Sequence, residues 1–193
     1  MQIDIPLNPD ILTKLIREQL KSNLNHLEAG MDRMDSLLER TMDFFAGMPR
    51  QIQHLMKVRG FALHIARREG LAPELIRLIE AAAIVHDVGT KPALLKYGVS
   101  SGTYQEELGP AEARQLLEGW PEETAARVCW LVGHHHSYKD IQGIDHQVLI
   151  EADFLVNLFE HSSSLEEIRH TLDRIFRTKS GIRLCQTMFS LQD

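Results

Sequence analysis

Apolar residues recur along this chain at helical spacing, and the pattern predicts an all-α fold of seven to nine helices. After Pro9 and Asp10, the residues Ile11, Leu12, Leu15, Ile16 and Leu20 form a stripe that predicts a helix running to about Leu24. A second stripe uses Met34, Leu37, Leu38, Met42 and Phe45 and stops near Gly47 and Pro49. A third begins near Pro49, carries His54, Val58, Ala62, Ile65 and Ala66, and ends at Gly70. Pro73 suits the first turn of a fourth, through Leu75, Leu78, Ile79, Ala82, Ala83 and Val85. No run of β-branched residues alternates long enough to predict a strand.

The pattern then breaks. Lys91 to Gly109 holds Pro92, Gly98, Gly102 and several small polar residues, and it reads as a long loop of the kind that often shapes a pocket. Gly109-Pro110 is expected to open a helix through Ala113, Leu116 and Leu117, and Pro121 another through Ala125, Val128, Cys129, Leu131 and Val132. A polar turn follows from Ser137 to Gly143, then a helix from about Asp145 to Glu160. Ser164 can cap a helix from Leu165 to about Arg177, and a last short helix holds Ile182, Leu184, Cys185 and Met188. The second stripe restarts independently after Gly30. Residues 1–30 are therefore read as an appended helical extension and residues 31–193 as the main domain.

Composition narrows the function classes. The 193 residues include 44% hydrophobic and 25% charged positions, ordinary for a globular domain, and the net charge is −6. A broad basic face for long nucleic acid is not expected on such a chain, although a small anion needs only a local basic pocket. The two cysteines, Cys129 and Cys185, make neither a disulfide framework nor a thiolate zinc site. The start lacks a signal-peptide pattern, and the apolar run Ala81–Val85 falls far short of the ~20 residues of a membrane span. A soluble cytoplasmic protein is expected. The apolar stripe of the first helix must be covered, either by the domain or by a second subunit in a homodimer.

Histidine is enriched, with ten in the chain and three in succession at His134, His135 and His136. Four residues sit in apolar helical surroundings: His54, the adjacent pair His86 and Asp87, and Asp153 among Leu149, Ala152 and Val156. A buried carboxylate costs several kcal/mol unless it is paired or bound to a cation. One shared divalent cation explains all four most economically, and two imidazoles with two carboxylates suit a borderline metal with open positions for water and substrate.

These residues, in this order, resemble the HD superfamily of metal-dependent phosphohydrolases. The resemblance rests on His54 in "RQIQHLMKVRG", His86-Asp87 in "AAAIVHDVGTK" and Asp153 in "IEADFLVNLFE". The segments "GPAEARQLL", "LVGHHHSY" and "RTKSGIRLC" look like a small bacterial branch, and the likeness covers about residues 36–190. It implies a helical bundle, one divalent metal (manganese, iron, cobalt, nickel, zinc or magnesium) held by His54, His86, Asp87 and Asp153, and hydrolysis of a small phosphate ester such as a nucleotide. Asp87 is the ligand expected to lean on the attacking water or on a second ion. The stretch Gln105-Glu106-Glu107 stands where two-metal members carry a further histidine. One tightly held metal is therefore favoured over a second site built from His134, His135 and Glu106.

Around that centre, His134 and His135 are the expected donors to a phosphoryl oxygen or leaving group, with His136 outside in solvent. Lys91 is expected to balance phosphate charge, and Arg50, Lys57, Lys96 and Tyr97 are candidate substrate contacts. Glu106 and Glu107 are candidate bases. His146 and His170 read as surface or helix-terminal residues. The rival function is a nucleotide- or metal-binding regulatory module with little turnover.

Overall fold

The computed structural model describes residues 16–20 and 33–191. The chain divides into two units, Met1–Ser36 and Leu37–Asp193. In the first, residues 16–20 and 33–36 are helical, and the rest of the expected helix from Asp10 to Leu24 lies outside the described residues, as does any account of what covers it. No strand occurs among the described residues, and none of their helices is long and apolar enough to cross a membrane.

The second unit is all-α. Residues 37–44 form α1. They are followed by α2 (Pro49–Arg68), α3 (Pro73–Val85), α4 (Thr90–Tyr97), α5 (Gly102–Leu116), α6 (Glu122–Val132), α7 (Ile144–Glu160), α8 (Leu165–Ile175) and α9 (Lys179–Met188). Prolines at the first turn start α2 and α3, where the missing N–H costs no helical bond. Ser164 and Glu167 form a reciprocal capping box at the start of α8.

Helix α2 packs on α3 and α7, α3 also reaches α6 and α7, and α5 lies between α4 and α6. The small side chains Ala81, Ala82 and Ala83, all fully buried, let α3 run through the centre. Helix α7 is buried without a break from Asp145 to Asp153, so it has no solvent face there, and it carries Asp145, His146, Gln147, Glu151 and Asp153 into the interior. His146 is helix-terminal, in the first turn of α7, but it is buried and not at the surface. Its ring bridges two backbone groups, with Nε2 2.9 Å from the His134 carbonyl and Nδ1 accepting from the Gln142 N–H.

The long loop expected between Lys91 and Gly109 is instead two helices. Gly98, in the left-handed conformation (φ 74°), ends α4, and the Ser101 hydroxyl caps α5 four residues into the connection. Pro110 lies inside α5 and does not open it. The glycines have a packing role here. A Cβ at Gly89 would collide with the Gln105 backbone, and one at Gly109 would meet Val132 Cγ1 at 2.7 Å. These glycines let α5 cross directly over the turn that follows α3.

The α8–α9 junction is tied to α7 by a buried carboxylate. Glu151 Oε1 accepts from the Gln147 amide and from the Arg177 and Thr178 N–H groups, and Oε2 accepts from the Thr178 hydroxyl. Burial raises the Glu151 pKa, and these donors pull it back only in part. A Cβ at Gly181 would collide with the same carboxylate, so the glycine admits it. Glu151→Ala strands several buried donors, and the expected loss of stability is about 3 kcal/mol, read as a lowered midpoint in urea unfolding.

Candidate metal centre

Four elements converge on one point. His54 comes from the second turn of α2, His86 and Asp87 from the turn after α3, Asp153 from the middle of α7, and His135 from the turn after α6. His54 Nε2 lies 3.0 Å from Asp153 Oδ1, 3.3 Å from His86 Nε2 and 3.6 Å from Asp87 Oδ2. His86 Nε2 is 3.6 Å from Asp153 Oδ1 and 3.7 Å from Asp87 Oδ2. The other oxygen of Asp87, Oδ1, points to His135 Nε2 at 3.5 Å.

The outer nitrogen of each imidazole settles what the inner one offers. His86 Nδ1 donates to the Ala83 carbonyl at 2.9 Å and His135 Nδ1 to the Val132 carbonyl at 2.8 Å. His54 Nδ1 faces Glu160 Oε2 at 3.2 Å. With Nδ1 as donor in all three, three Nε2 lone pairs point inward. Two nitrogen lone pairs at 3.3 Å repel unless a proton or a cation lies between them. His135 Nε2 is buried and has no hydrogen-bond partner, a state that costs roughly 1–3 kcal/mol if nothing fills it.

The electrostatics agree. Burial alone would depress the His54 pKa, but its hydrogen bond to Asp153 and the charges of Asp87 and Asp153 raise it to about 9. The pKa of His86 is raised as well, against the penalty of its complete burial, chiefly by Asp87 and Asp153. Burial works against ionisation of both aspartates, yet the surrounding imidazoles hold their pKa values below the ordinary carboxylate range. A point that attracts protons this strongly attracts a metal cation for the same reason. The donor set of imidazole nitrogens and carboxylate oxygens therefore fits a divalent ion, with His54, His86 and Asp153 as one cluster and Asp87, His135 and His136 as a second beside it.

The HD domain family matches this chain over residues 52–176, which span all four elements of the centre. The chain belongs to the HD domain family. Its fold is also that of the crystal structure of a predicted HD superfamily hydrolase from an uncultured Thermotogales bacterium, at a TM-score of 0.58 and 22% identity over 80% of this chain and 83% of the other. No curated protein matches the chain in sequence.

Above the HD centre opens a cavity of about 510 Å³, with His54, Asp87, Thr90 and Asp153 on its wall and Arg50, Gln51, Gln105, His136 and Asn157 around it. Several expected residues are elsewhere. His134 is turned away, stacked on Trp130 at 4.1 Å with Nδ1 on the Trp130 carbonyl, because successive residues of a helical turn point about 100° apart. His136, expected in solvent, takes the inward place and is half-buried between the Tyr138 hydroxyl and Gln105. Burial and the neighbouring His135 lower its pKa to about 4.

Lys91 donates to the Phe44 carbonyl at 2.6 Å and lies over the Phe44 ring, so it ties α4 to the end of α1 and does not line the cavity. Lys96 and Tyr97 both bind Glu107 on the exposed face of α4, and the Tyr97 ring stacks on Tyr104 at 4.0 Å. They fall outside the cavity because their segment is helix, not loop. Lys57 pairs with Glu160 Oε1 at 2.7 Å and is thus committed to the support of His54. Glu106 accepts from His136 N–H and the Ser137 hydroxyl, a structural duty.

Two residues were missed. Glu160 stands two turns beyond Asp153 on the same helix, a spacing that places it on the same face. Thr90, buried on the cavity wall, has a hydroxyl with no hydrogen-bond partner. No pattern in the chain singles it out.

The loop after the His135–His136 turn is fastened to α6 by Arg127, which binds Asp145 through Nε and NH2 at 2.7 and 2.8 Å and also reaches the Gln142 carbonyl. Burial opposes ionisation of Asp145, but the Arg127 hydrogen bonds outweigh it and its pKa is lowered. A depressed carboxyl stabilises the fold above its unfolded pKa of about 4 and loses that contribution as pH falls through the folded value. Asp145→Asn is expected to be less stable than wild type at pH 7, with the gap closing below about pH 4, measured by urea unfolding across pH.

Proposed function

We propose that this HD protein is a metal-dependent phosphohydrolase acting on a small phosphate ester, a nucleotide or sugar phosphate. The observation that supports it most is the convergence of three Nδ1-anchored imidazoles with the buried Asp153 and the half-buried Asp87 on the floor of an open cavity. His54, His86, Asp87 and Asp153 would hold the divalent ion. When bound, it supplies the Lewis acidity that makes water a nucleophile at neutral pH.

The protein's own groups do the rest. Asp87 faces the His54–His86 side with one oxygen and His135 with the other, so it is the carboxylate placed to accept a proton at the centre. The free Thr90 hydroxyl offers a hydrogen bond to a phosphoryl oxygen. Arg50, which has no carboxylate partner among the described residues, brings positive charge to the cavity rim. His136, neutral at pH 7, has an N–H on Nε2 that it gives to Gln105 and can give instead to the leaving oxygen. Glu160 shares its carboxylate between His54 and Lys57 and fixes the ring of the first ligand.

Elemental analysis of the purified protein is expected to find a transition metal that Asp153→Ala loses. With that metal restored, wild type is expected to hydrolyse phosphate esters. Asp87→Ala should lower kcat/KM by on the order of a hundredfold or more while its circular dichroism is retained. Thr90→Val, nearly isosteric, should raise KM about tenfold. Metal binding with no turnover on any phosphate ester would overturn the enzyme reading and leave a binding module. No metal after reconstitution would overturn both.

A further inference from the structure

A second cavity, of about 710 Å³, adjoins the first and is used by nothing described above. The two share a wall made of His136, Tyr138 and Phe154. The Tyr138 and Phe154 rings touch at 4.9 Å between centroids, and the Tyr138 hydroxyl is anchored on His136, so the boundary is a held aromatic ridge. Beyond the ridge the chemistry changes. The far cavity is lined by Ile175, by Lys139 and Arg174, and by His170, with Asp140 as its carboxylate. No ion pair engages Lys139 or Arg174 among the described residues. The Arg174 guanidinium has His170 Nε2 as its neighbour at 3.4 Å.

A cavity with an aromatic entrance, an apolar side and two uncommitted cations fits a ligand that is flat and apolar in the middle and anionic at its end. Its other end opens at the HD centre. We propose that the second cavity is a leaving-group subsite. The substrate class is then a phosphate ester whose leaving group carries a flat ring system across Tyr138 and Phe154, and beyond it a second anionic group held by Lys139 and Arg174. This rests on the phosphohydrolase reading for the position of the scissile phosphate, but the anion subsite is a binding claim in its own right.

The test uses the metal-loaded full-length protein and three probes: biphenyl phosphate, the same ester with a carboxylate at the far para position, and the same ester with a second phosphate there. Wild type is expected to favour the doubly anionic probes by about tenfold or more in kcat/KM. The pair Lys139→Glu and Arg174→Glu should abolish or invert that ratio, and both sites are exposed enough for the fold to persist, checked by the thermal melt. The better of the two anionic probes identifies a carboxylate or a phosphate as the distal group. Equal hydrolysis of all three probes, or a ratio indifferent to charge reversal, overturns the subsite and leaves the phosphohydrolase standing. Non-hydrolysable phosphonate versions of the probes are bound in parallel by calorimetry. If no probe turns over but the anionic phosphonates still bind more tightly and lose that advantage on charge reversal, the subsite holds and the hydrolase reading falls.

Discussion

Two carboxylates, the buried Asp153 and the half-buried Asp87, meet at the heart of this domain, and among the described residues neither has a lysine or arginine to answer it. Their partners are imidazoles: His54 and His86 on one side, His135 on the other. An imidazole can answer a carboxylate in two ways, by taking a proton or by sharing a cation. The outward hydrogen bonds of His86 and His135 to backbone carbonyls, and of His54 to Glu160, commit the Nδ1 atoms and leave only the inner Nε2 to choose. The negative potential that raises the pKa values of His54 and His86 is the same potential that would bind a metal ion.

The surrounding helices make that concentration of charge structurally affordable. Helix α7 is buried all round along its first half, so its polar residues cannot turn to water and each is met by a specific partner. Asp145 meets Arg127, His146 meets two backbone groups, and Glu151 meets four donors from Gln147 and the α8–α9 junction. Each partner also fastens a segment that the site needs. His146 holds the turn bearing His135 and His136 through the His134 carbonyl, Arg127 fastens the loop after it to α6, and Glu151 holds the end of α8, which carries His170 and Arg174. On the opposite side, Gly89 and Gly109 bring α5 against the His86–Asp87 turn, which places Gln105 on the cavity and Thr90 within it.

The two cavities divide the chemistry. One is floored by carboxylates and imidazoles and suits a cation with an anion above it. The other, across the Tyr138–Phe154 ridge, presents Lys139 and Arg174, neither of them in an ion pair among the described residues. A molecule spanning both would meet opposite electrostatic environments at its two ends, and such an arrangement orients a substrate as well as binding it.

Much of this was legible in the chain itself. Helical class, proline starts, the Ser164 cap and the placing of His54, His86, Asp87 and Asp153 on inward faces all follow from spacing, because a side chain's direction on a helix is set by its register. Burying two aspartates and two histidines in apolar stripes already demanded a shared charge. What lay beyond the sequence were features decided by contacts between distant segments. The glycines and proline of residues 91–109 looked like loop because their reason is the close passage of α5 over another turn. His134 and His136 exchanged expected roles because the turn after α6 is fixed by contacts with other elements, the His134 carbonyl by His146 on α7 and the His136 N–H by Glu106 on α5. Lys91 and Lys57 looked like free cations until Phe44 and Glu160 arrived beside them. Local spacing determines which way a side chain faces on its own helix. Only the packing of the helices decides what it finds there.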